Sequence, residues 1–435
     1  MSRFMLLVFI FITSSSIISA QNSWTWTALS PLPVPTANNA LTEVLLNGEK
    51  YVYSFGGITD SLKAENIHQR VFKYEVSSDQ WTEEVPISDT LGKIASGASF
   101  VNNKVYLIGG YHVENNGNEV SSNKVHVYNP FIDTFEIDAA NVPIPIDDHV
   151  QAVWKDSLIY VISGWSNTGN VPNVQVFNPS FNSWKTGTSV PSTEKYKSFG
   201  ASGYILEDTI YYYGGVRDNP SFSATNYLRK GVIDLNDPTQ IDWELIPASS
   251  NNNLYRGACS GHNKTVFWVG GAEMAYNFDG LAYYTNDQVY PNARIFELNT
   301  ETNSQVNRSP TEIGKMDLRG IAKLGGGNWI IAGGIDSSRT ASDKTYLLHN
   351  PSLSNLDAAV QPPFFEVKET ANDYVVLTEN VGEIKIYDIQ GRTLFKAPKN
   401  LANLHINKSF LDQGMLLFVY NDNSNLPIVI KKINP

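Results

Sequence analysis

The sequence predicts an all-β protein built from a repeated four-stranded unit, and two observations support this fold class. Aromatic residues make up 12% of the 435 residues and charged residues only 17%, a composition that suits pleated sheets. A short aromatic and β-branched run that ends in Gly-Gly, or once in Ser-Gly, occurs six times along the chain. These runs end at Gly57, Gly110, Gly164, Gly215, Gly271 and Gly334. Their spacing of roughly 50–60 residues accommodates four strands and their loops.

Each glycine pair is followed by a second hydrophobic strand and a polar turn. In four copies an aromatic residue closes this segment: Trp81, Phe135, Trp184 and Trp243. One such unit cannot bury both faces of its sheet, so several must pack side by side. We therefore expect six blades arranged as a β-propeller.

The segment before the first blade predicts how the ring closes. Trp26 stands seven residues ahead of Pro33, just as Trp184 stands seven residues ahead of Pro191. We interpret residues 24–30 as an outer strand that completes the last blade. Closure removes the exposed sheet edges that favour aggregation.

The glycine pair, strand, turn and tryptophan together resemble the kelch repeat, over roughly residues 22–360. The resemblance implies a six-bladed kelch-type β-propeller, which we place at residues 21–362. Galactose oxidase also carries a kelch propeller and uses copper with a Cys-linked Tyr. Here Cys259 is the single cysteine and has no recognisable ligand cluster beside it, which argues against that activity and excludes an intrachain disulfide.

The ends of the chain predict export. Residues 1–20 have one Arg, an apolar core and a small-residue end, which is typical of a secretory signal peptide cleaved before Gln21. No other segment is apolar enough to span a membrane. The formal net charge of -11 argues against a nucleic-acid partner.

From residue 363 to residue 435 the glycine-pair period stops, and three alternating segments predict a small β-sandwich. The segments Ile384–Arg392 and Leu411–Met415 and the closing Lys431-Lys432 resemble the C-terminal sorting domain of the type IX secretion system of Bacteroidetes. The resemblance implies a secreted or outer membrane-associated protein of a Gram-negative bacterium, with the type IX machinery as its partner. The usual proline-asparagine-proline opening is absent, and a sandwich that merely braces the propeller is the alternative.

The sequence gives no catalytic assignment. None of its seven histidines pairs at metal-ligand spacing, and no hydrolase, phosphate-loop or dinucleotide motif occurs. We therefore predict neither a metal nor a cofactor.

The residues that enter each innermost strand are the candidate ligand site, because in kelch propellers they face the mouth of the central channel. Aligning the copies places a cation there in four blades. The candidates are Lys93, Asp148, His149, Lys195, Tyr196, Arg256 and Arg319, with Asn38 in the first blade. Either these arginines bond backbone carbonyls of neighbouring blades, or the cations form a basic funnel for an acidic glycan.

Three hypotheses follow. The first is a non-catalytic binding module for a glycan or a protein partner at the cell surface or outside the cell. The alternative is a carbohydrate-active enzyme of the sialic acid epimerase or mutarotase type, in which His149 with Asp148 and a lysine would move protons while Arg256 and Arg319 hold a carboxylate. The third is an adhesive surface protein whose channel is uncharged or plugged.

Overall fold

The computed structural model describes residues 24–249, 252–354, 365–378, 382–388, 390–399, 403–411, 413–422 and 428–434. Contacts divide the chain into two compact units, the first ending at Ser354 and the second beginning at Asn355. The regular secondary structure of the described residues is β-strand, apart from three short 3-10 helices at Ala64–Asn66, Pro351–Leu353 and Lys408–Phe410. The fold class is therefore all-β. The predicted signal peptide and the predicted boundary at residues 362 and 363 lie outside the described residues.

The first unit contains six antiparallel sheets in its described residues, each of four strands plus one extra strand in sheet 2. Strand β1 spans Thr25–Leu29, and sheet 1 follows as β2 (Ala40–Leu46), β3 (Glu49–Ile58), β4 (Ile67–Glu75) and β5 (Gln80–Glu84). Sheet 2 contains β6 (Ile94–Val101), β7 (Lys104–Val113), β8 (Glu119–Ser121), β9 (Val125–Asn129) and β10 (Thr134–Phe135). Sheet 3 contains β11 (Val150–Trp154), β12 (Leu158–Ile162), β13 (Val174–Asn178) and β14 (Ser183–Gly187).

The remaining sheets repeat the same order. Sheet 4 contains β15 (Phe199–Leu206), β16 (Thr209–Val216), β17 (Leu228–Ile233) and β18 (Ile241–Ile246). Sheet 5 contains β19 (Ala258–His262), β20 (Thr265–Val269), β21 (Ile295–Asn299) and β22 (Gln305–Arg308). Sheet 6 contains β23 (Ala322–Gly325), β24 (Asn328–Ala332) and β25 (Thr345–His349), and β1 is its fourth strand.

The N-terminal strand closes sheet 6, as the tryptophan spacing predicts. Strand β1 pairs antiparallel with β25 from Thr25 opposite His349 to Leu29 opposite Thr345. Trp24 and Trp26 are buried there, and the Trp26 ring meets the edge of Tyr346 at 5.9 Å. The outer edge of the last sheet is thereby paired with the beginning of the chain.

A series of hydrogen bonds joins the six sheets just before or at the start of their innermost strands. At this position each sheet has a residue with positive φ: Asn38 (56°), Ala95 (58°), Asp148 (47°), Gly200 (66°), Arg256 (48°) and Asp317 (61°). The bonds run from Asn38 N to Asp317 O, Ala95 N to Asn38 Oδ1, Asp148 N to Ala95 O, Gly200 N to Asp148 O, Arg256 N to Gly200 O and Leu318 N to Arg256 O, at 2.7–3.0 Å. The left-handed backbone turns each amide towards the preceding sheet, and Asn, Asp and Gly tolerate that conformation best.

The second unit contains two sheets in its described residues. Strands β26 (Phe365–Glu369), β27 (Asp373–Thr378) and β30 (Asn403–Asn407) form one sheet. Strands β28 (Gly382–Tyr387), β29 (Thr393–Lys399), β31 (Gly414–Asp422) and β32 (Ile428–Asn434) form the other. Side chains from both sheets, including Tyr374, Ile384 and Phe418, share one buried cluster. No helix among the described residues of the chain is long and apolar enough to cross a membrane.

Candidate functional site

An ion cluster lies where the six sheets meet, and we call its five residues Asn38, Asp148, Arg256, Asp317 and Arg319 the central ion cluster. Arg256 donates to Asp148 through Nε (3.1 Å) and Nη2 (2.5 Å) and to Asp317 through Nη1 (3.1 Å). Asn38 Nδ2 donates to the same Asp317 oxygen at 2.9 Å. Burial lowers the pKa of Arg256, but the carboxylates of Asp148 and Asp317 hold that pKa above its ordinary value. The guanidinium is therefore charged and neutralised from two sides.

Arg319 acts mainly as a link between sheets. Its Nη2 donates to the His149 carbonyl at 2.9 Å and its Nε to the Ser96 carbonyl at 3.4 Å, while Nη1 lies 3.6 Å from Asp148 Oδ1. Sheets 2, 3 and 6 are joined through this one side chain. The expectation that such arginines bond neighbouring backbone carbonyls describes Arg319 well.

The cations do not gather at one mouth as the basic funnel requires. Lys93 is buried in sheet 2, where its ammonium group lies 2.7 Å from Asp89 Oδ2 and 2.9 Å from His126 Nε2. Lys195 is exposed and Tyr196 half-buried, and their carbonyls accept bonds from Arg229 and Tyr212 of sheet 4. Lys93, Lys195 and Tyr196 therefore stand apart from the central ion cluster, and carboxylates balance the two arginines that reach it.

A cavity of about 220 Å³ lies on one side of this cluster. We call it the aromatic cavity, because five rings contribute to its walls. Its lining residues are Tyr111, Glu119, Asp147, Asp148, Trp165, Asn167, Phe199, Phe222, Arg256 and Tyr283. Concave sites that combine apolar walls with a few polar groups are typical of small-molecule binding.

Two carboxyl groups of the aromatic cavity hold their protons more tightly than usual. Burial, followed by the negative charge of Asp148, raises the pKa of Asp147 well above its ordinary value. Ser121 Oγ donates to Asp147 Oδ2 at 2.5 Å and fixes its position. Glu119, the first residue of β8, is exposed and also lines this cavity, and desolvation raises its pKa. The cavity thus contains acid and base groups beside a guanidinium.

A second cavity, of about 340 Å³, lies among the innermost strands, and we call it the channel cavity. His149 lines it rather than the aromatic cavity, with Nε2 3.0 Å from Gln151 Oε1. Burial and then the charge of Arg319 lower the pKa of His149 to about 4, so the ring is neutral at neutral pH. Asp148 and His149 are adjacent in sequence, yet Asp148 lines the aromatic cavity and His149 lines the channel cavity.

Several site residues escaped the sequence reasoning. Asp147 precedes β11 of sheet 3, and Glu119 is the first residue of β8 in sheet 2. Tyr276 and Tyr283 come from the long loop of residues 270–294 in sheet 5. Tyr276 contacts Asp317 through its hydroxyl at 3.3 Å, and Asn277 bonds Glu119. Two features of the sequence indicate this loop: the interval from Gly271 to Gly334 is longer than those between the other glycine pairs, and it is rich in tyrosine. The described residues contain no group of three or more His, Cys, Asp or Glu side chains placed to hold a metal ion.

This fold and its central site define a Kelch-repeat protein. Residues 41–271 match the KLHDC2/KLHL20/DRC7 Kelch-repeats domain, more than half of the chain, and the chain belongs to that family. Kelch-like protein 36 of Bos taurus is 20% identical over 46% of this chain, which spans only 30% of that protein. Beta-scruin of Limulus polyphemus is 23% identical over 35% of this chain and is matched over 16% of its own length.

A bacterial relative matches far more of the chain. N-acetylneuraminate epimerase 1 of Escherichia coli O6:H1 is 24% identical over 344 residues, which cover 76% of this chain and 81% of that protein. The solved structure of YjhT superposes on 81% of this chain and 99% of its own, with a TM-score of 0.58 and 16% identity. The second similarity establishes the fold alone.

Proposed function

We propose that this protein is a carbohydrate-active propeller of the sialic acid epimerase or mutarotase type, with the aromatic cavity as its active site. The observation that carries the proposal is the position of Asp147. This buried carboxyl group has a raised pKa, lies beside the Arg256 and Asp148 pair, and faces a cavity walled by aromatic rings. The match to N-acetylneuraminate epimerase 1 along most of both chains supports the same substrate class.

The proposed reaction opens and recloses the sugar ring at its anomeric carbon. Asp147, whose pKa is raised by burial, donates a proton from its carboxylic acid form to the ring oxygen as the bond from that oxygen to the anomeric carbon breaks. Glu119 accepts the proton of the anomeric hydroxyl, whose oxygen becomes the carbonyl oxygen of the open chain. Rotation about the bond between the carbonyl carbon and the next carbon of the chain turns the other face of the carbonyl towards the ring oxygen. The two proton transfers then reverse, and the other anomer forms. These roles replace those expected for His149 and a lysine.

Arg256 would orient an acidic sugar. Three of its five N–H groups bond Asp148 and Asp317, and in this proposal the other two donate to a ligand carboxylate. Asp148 and Asp317 already neutralise the guanidinium. Arg256 would therefore fix the orientation of the bound sugar and add little net electrostatic attraction. The aromatic walls supply contact with the apolar faces of the ring.

The test is the exchange between the anomers of N-acetylneuraminate at equilibrium, measured by NMR magnetisation transfer. The protein should accelerate exchange, and Asp147→Asn should lower that acceleration by about 100-fold or more, as for loss of a general acid. Asp156→Asn is the matched control, because Asp156 also has a pKa raised by burial but lines the channel cavity.

A non-catalytic glycan-binding module is the second candidate, and the aromatic walls favour it equally. Sugar binding needs the rings but not the protons of Asp147 and Glu119. Binding of N-acetylneuraminate without faster anomer exchange would therefore select the binding module. Absence of both would reject both readings.

We also propose that the first unit is a closed six-bladed propeller. The series of hydrogen bonds from Asn38 through Asp317 and the pairing of β1 with β25 support this closure. Each of the six sheets would be one blade, with β2, β6, β11, β15, β19 and β23 innermost.

For the second unit we propose a β-sandwich that directs export through the type IX secretion system. The two sheets that share a buried cluster support the sandwich. The turn after β28, where Asp388 Oδ2 binds Arg392 Nε at 2.6 Å, falls in the segment that resembles sorting domains. Removing residues 365–435 should leave a folded propeller trapped in the periplasm of the native host. Normal appearance outside the cell without these residues would reject the sorting role.

A further inference from the structure

An aromatic pair extends the aromatic cavity to the surface of the molecule. Phe222 lines the cavity, and its ring stacks on that of Tyr284 with centroids 5.6 Å apart and planes inclined by 17°. Tyr284 is 68% exposed. One face of the Tyr284 ring is thus covered by Phe222, while much of the side chain is open to solvent.

Both members of this pair have an unfavourable backbone. Phe222 has a φ of 42° and Tyr284 a φ of 66°, in the left-handed region that bulky side chains rarely adopt. Such conformations persist only where the surroundings enforce them, and they concentrate at ligand sites. Two strained aromatic residues from different sheets, stacked on each other beside a cavity, therefore point to a ligand.

The pair is continuous with the rings of the cavity. Phe222 lies 5.7 Å from Trp165 and 4.9 Å from Tyr283, ring centre to ring centre, and both of those rings line the aromatic cavity. In the proposed function one sugar ring occupies this cavity of about 220 Å³. A ring attached to that sugar would extend towards the exposed Tyr284.

We propose that Tyr284, supported by Phe222, is a second sugar subsite, and that the preferred ligand carries a further sugar ring beyond the one in the cavity. The apolar face of a pyranose would lie on the exposed face of Tyr284, and the phenol hydroxyl would be free to bond its hydroxyl groups. This inference rests on the proposed function, because the first ring must occupy the aromatic cavity.

Titration calorimetry with two matched probes tests the subsite. The probes are N-acetylneuraminate and its α2,8-linked dimer, which ends in the same reducing ring. The wild type should bind the dimer more tightly, and Tyr284→Ala should weaken dimer binding roughly three- to tenfold with the monosaccharide affinity unchanged. Tyr284→Phe should keep most of the dimer affinity because the stacking ring remains.

Tyr290→Ala is the control for the loop. Tyr290 lies on the same loop and is 57% exposed, but its ring contacts Arg339 rather than Phe222. It should change neither affinity. Equal wild-type affinity for the two probes, or full dimer affinity in Tyr284→Ala, would overturn the subsite and leave the proposed function standing. A wild type that binds neither probe would overturn both.

Discussion

Arg256 and Asp148 form a buried, two-point ion pair across 108 residues of sequence, with Nε 3.1 Å and Nη2 2.5 Å from the carboxylate oxygens. Both residues have positive φ and stand at the same place ahead of an innermost strand. A backbone conformation that each sheet needs thus presents the two side chains to each other. The pair forms part of the wall of the aromatic cavity and joins sheets 3 and 5.

We predict that Arg256→Ala strongly destabilises the protein. The substitution removes the guanidinium that binds the buried carboxylates of both Asp148 and Asp317, and removing one partner of a buried pair costs about 3–5 kcal/mol. Urea unfolding measures the loss. Arg70→Ala is the control, because the exposed pair of Arg70 with Glu83 should contribute less than about 1 kcal/mol. Similar small losses in both variants would show that the central pair does not hold the sheets together.

Closure by the N-terminal strand predicts a second effect. Trp26→Ala should lower the free energy of unfolding by about 3–5 kcal/mol, since the Trp26 side chain on β1 is buried. Deleting residues 21–30 should lower the melting temperature by several degrees or abolish folding. Ile137→Ala, at a side chain 93% exposed, should leave the melting temperature unchanged. If the deletion were as stable as the full chain, pairing of β1 with β25 would not be what closes sheet 6.

The lowered pKa of His149 predicts a pH dependence of stability. The folded protein keeps this ring neutral down to about pH 4, whereas in the unfolded chain its pKa is near the ordinary value of 6.5. Its contribution is therefore present above pH 6.5 and is lost as the pH falls towards 4. In His149→Gln the free energy of unfolding should fall less steeply over that interval. Equal slopes in the two proteins would mean that His149 is not held neutral.

The sequence predicted the strands and the closing pair better than the site. The glycine pairs and the tryptophan spacing are local features, and strand β1 lies inside the predicted segment 24–30. Among the strand-entry residues, Asn38, Asp148 and Arg256 occupy the left-handed position itself. In the other three sheets that position belongs to Ala95, Gly200 and Asp317, because the preceding loops differ in length and shift the alignment.

The feature that repeats at the strand entries is therefore a residue with positive φ, not a charged side chain. Lys93, Lys195 and Arg319 fall beside the required position. The side chains of Lys93 and Lys195 lie away from the central ion cluster, whereas Arg319 reaches Asp148 from the position two residues after Asp317. The aromatic cavity could not be read from the repeat at all. Glu119, Asp147, Phe222 and Tyr283 belong to segments that are specific to their sheets, and only the folding of the first unit brings them together.

The most direct test of the account is the affinity of N-acetylneuraminate, measured by calorimetry for the wild type and for one variant in each cavity. Trp165→Ala removes a wall of the aromatic cavity, and Tyr204→Ala removes a large ring from the channel cavity. Melting curves establish that both variants are folded. We predict that Trp165→Ala loses most of the affinity for N-acetylneuraminate and that Tyr204→Ala retains the wild-type affinity. Binding that survives Trp165→Ala but is lost in Tyr204→Ala, or no binding by the wild type, would contradict the assignment of the aromatic cavity as a sugar site.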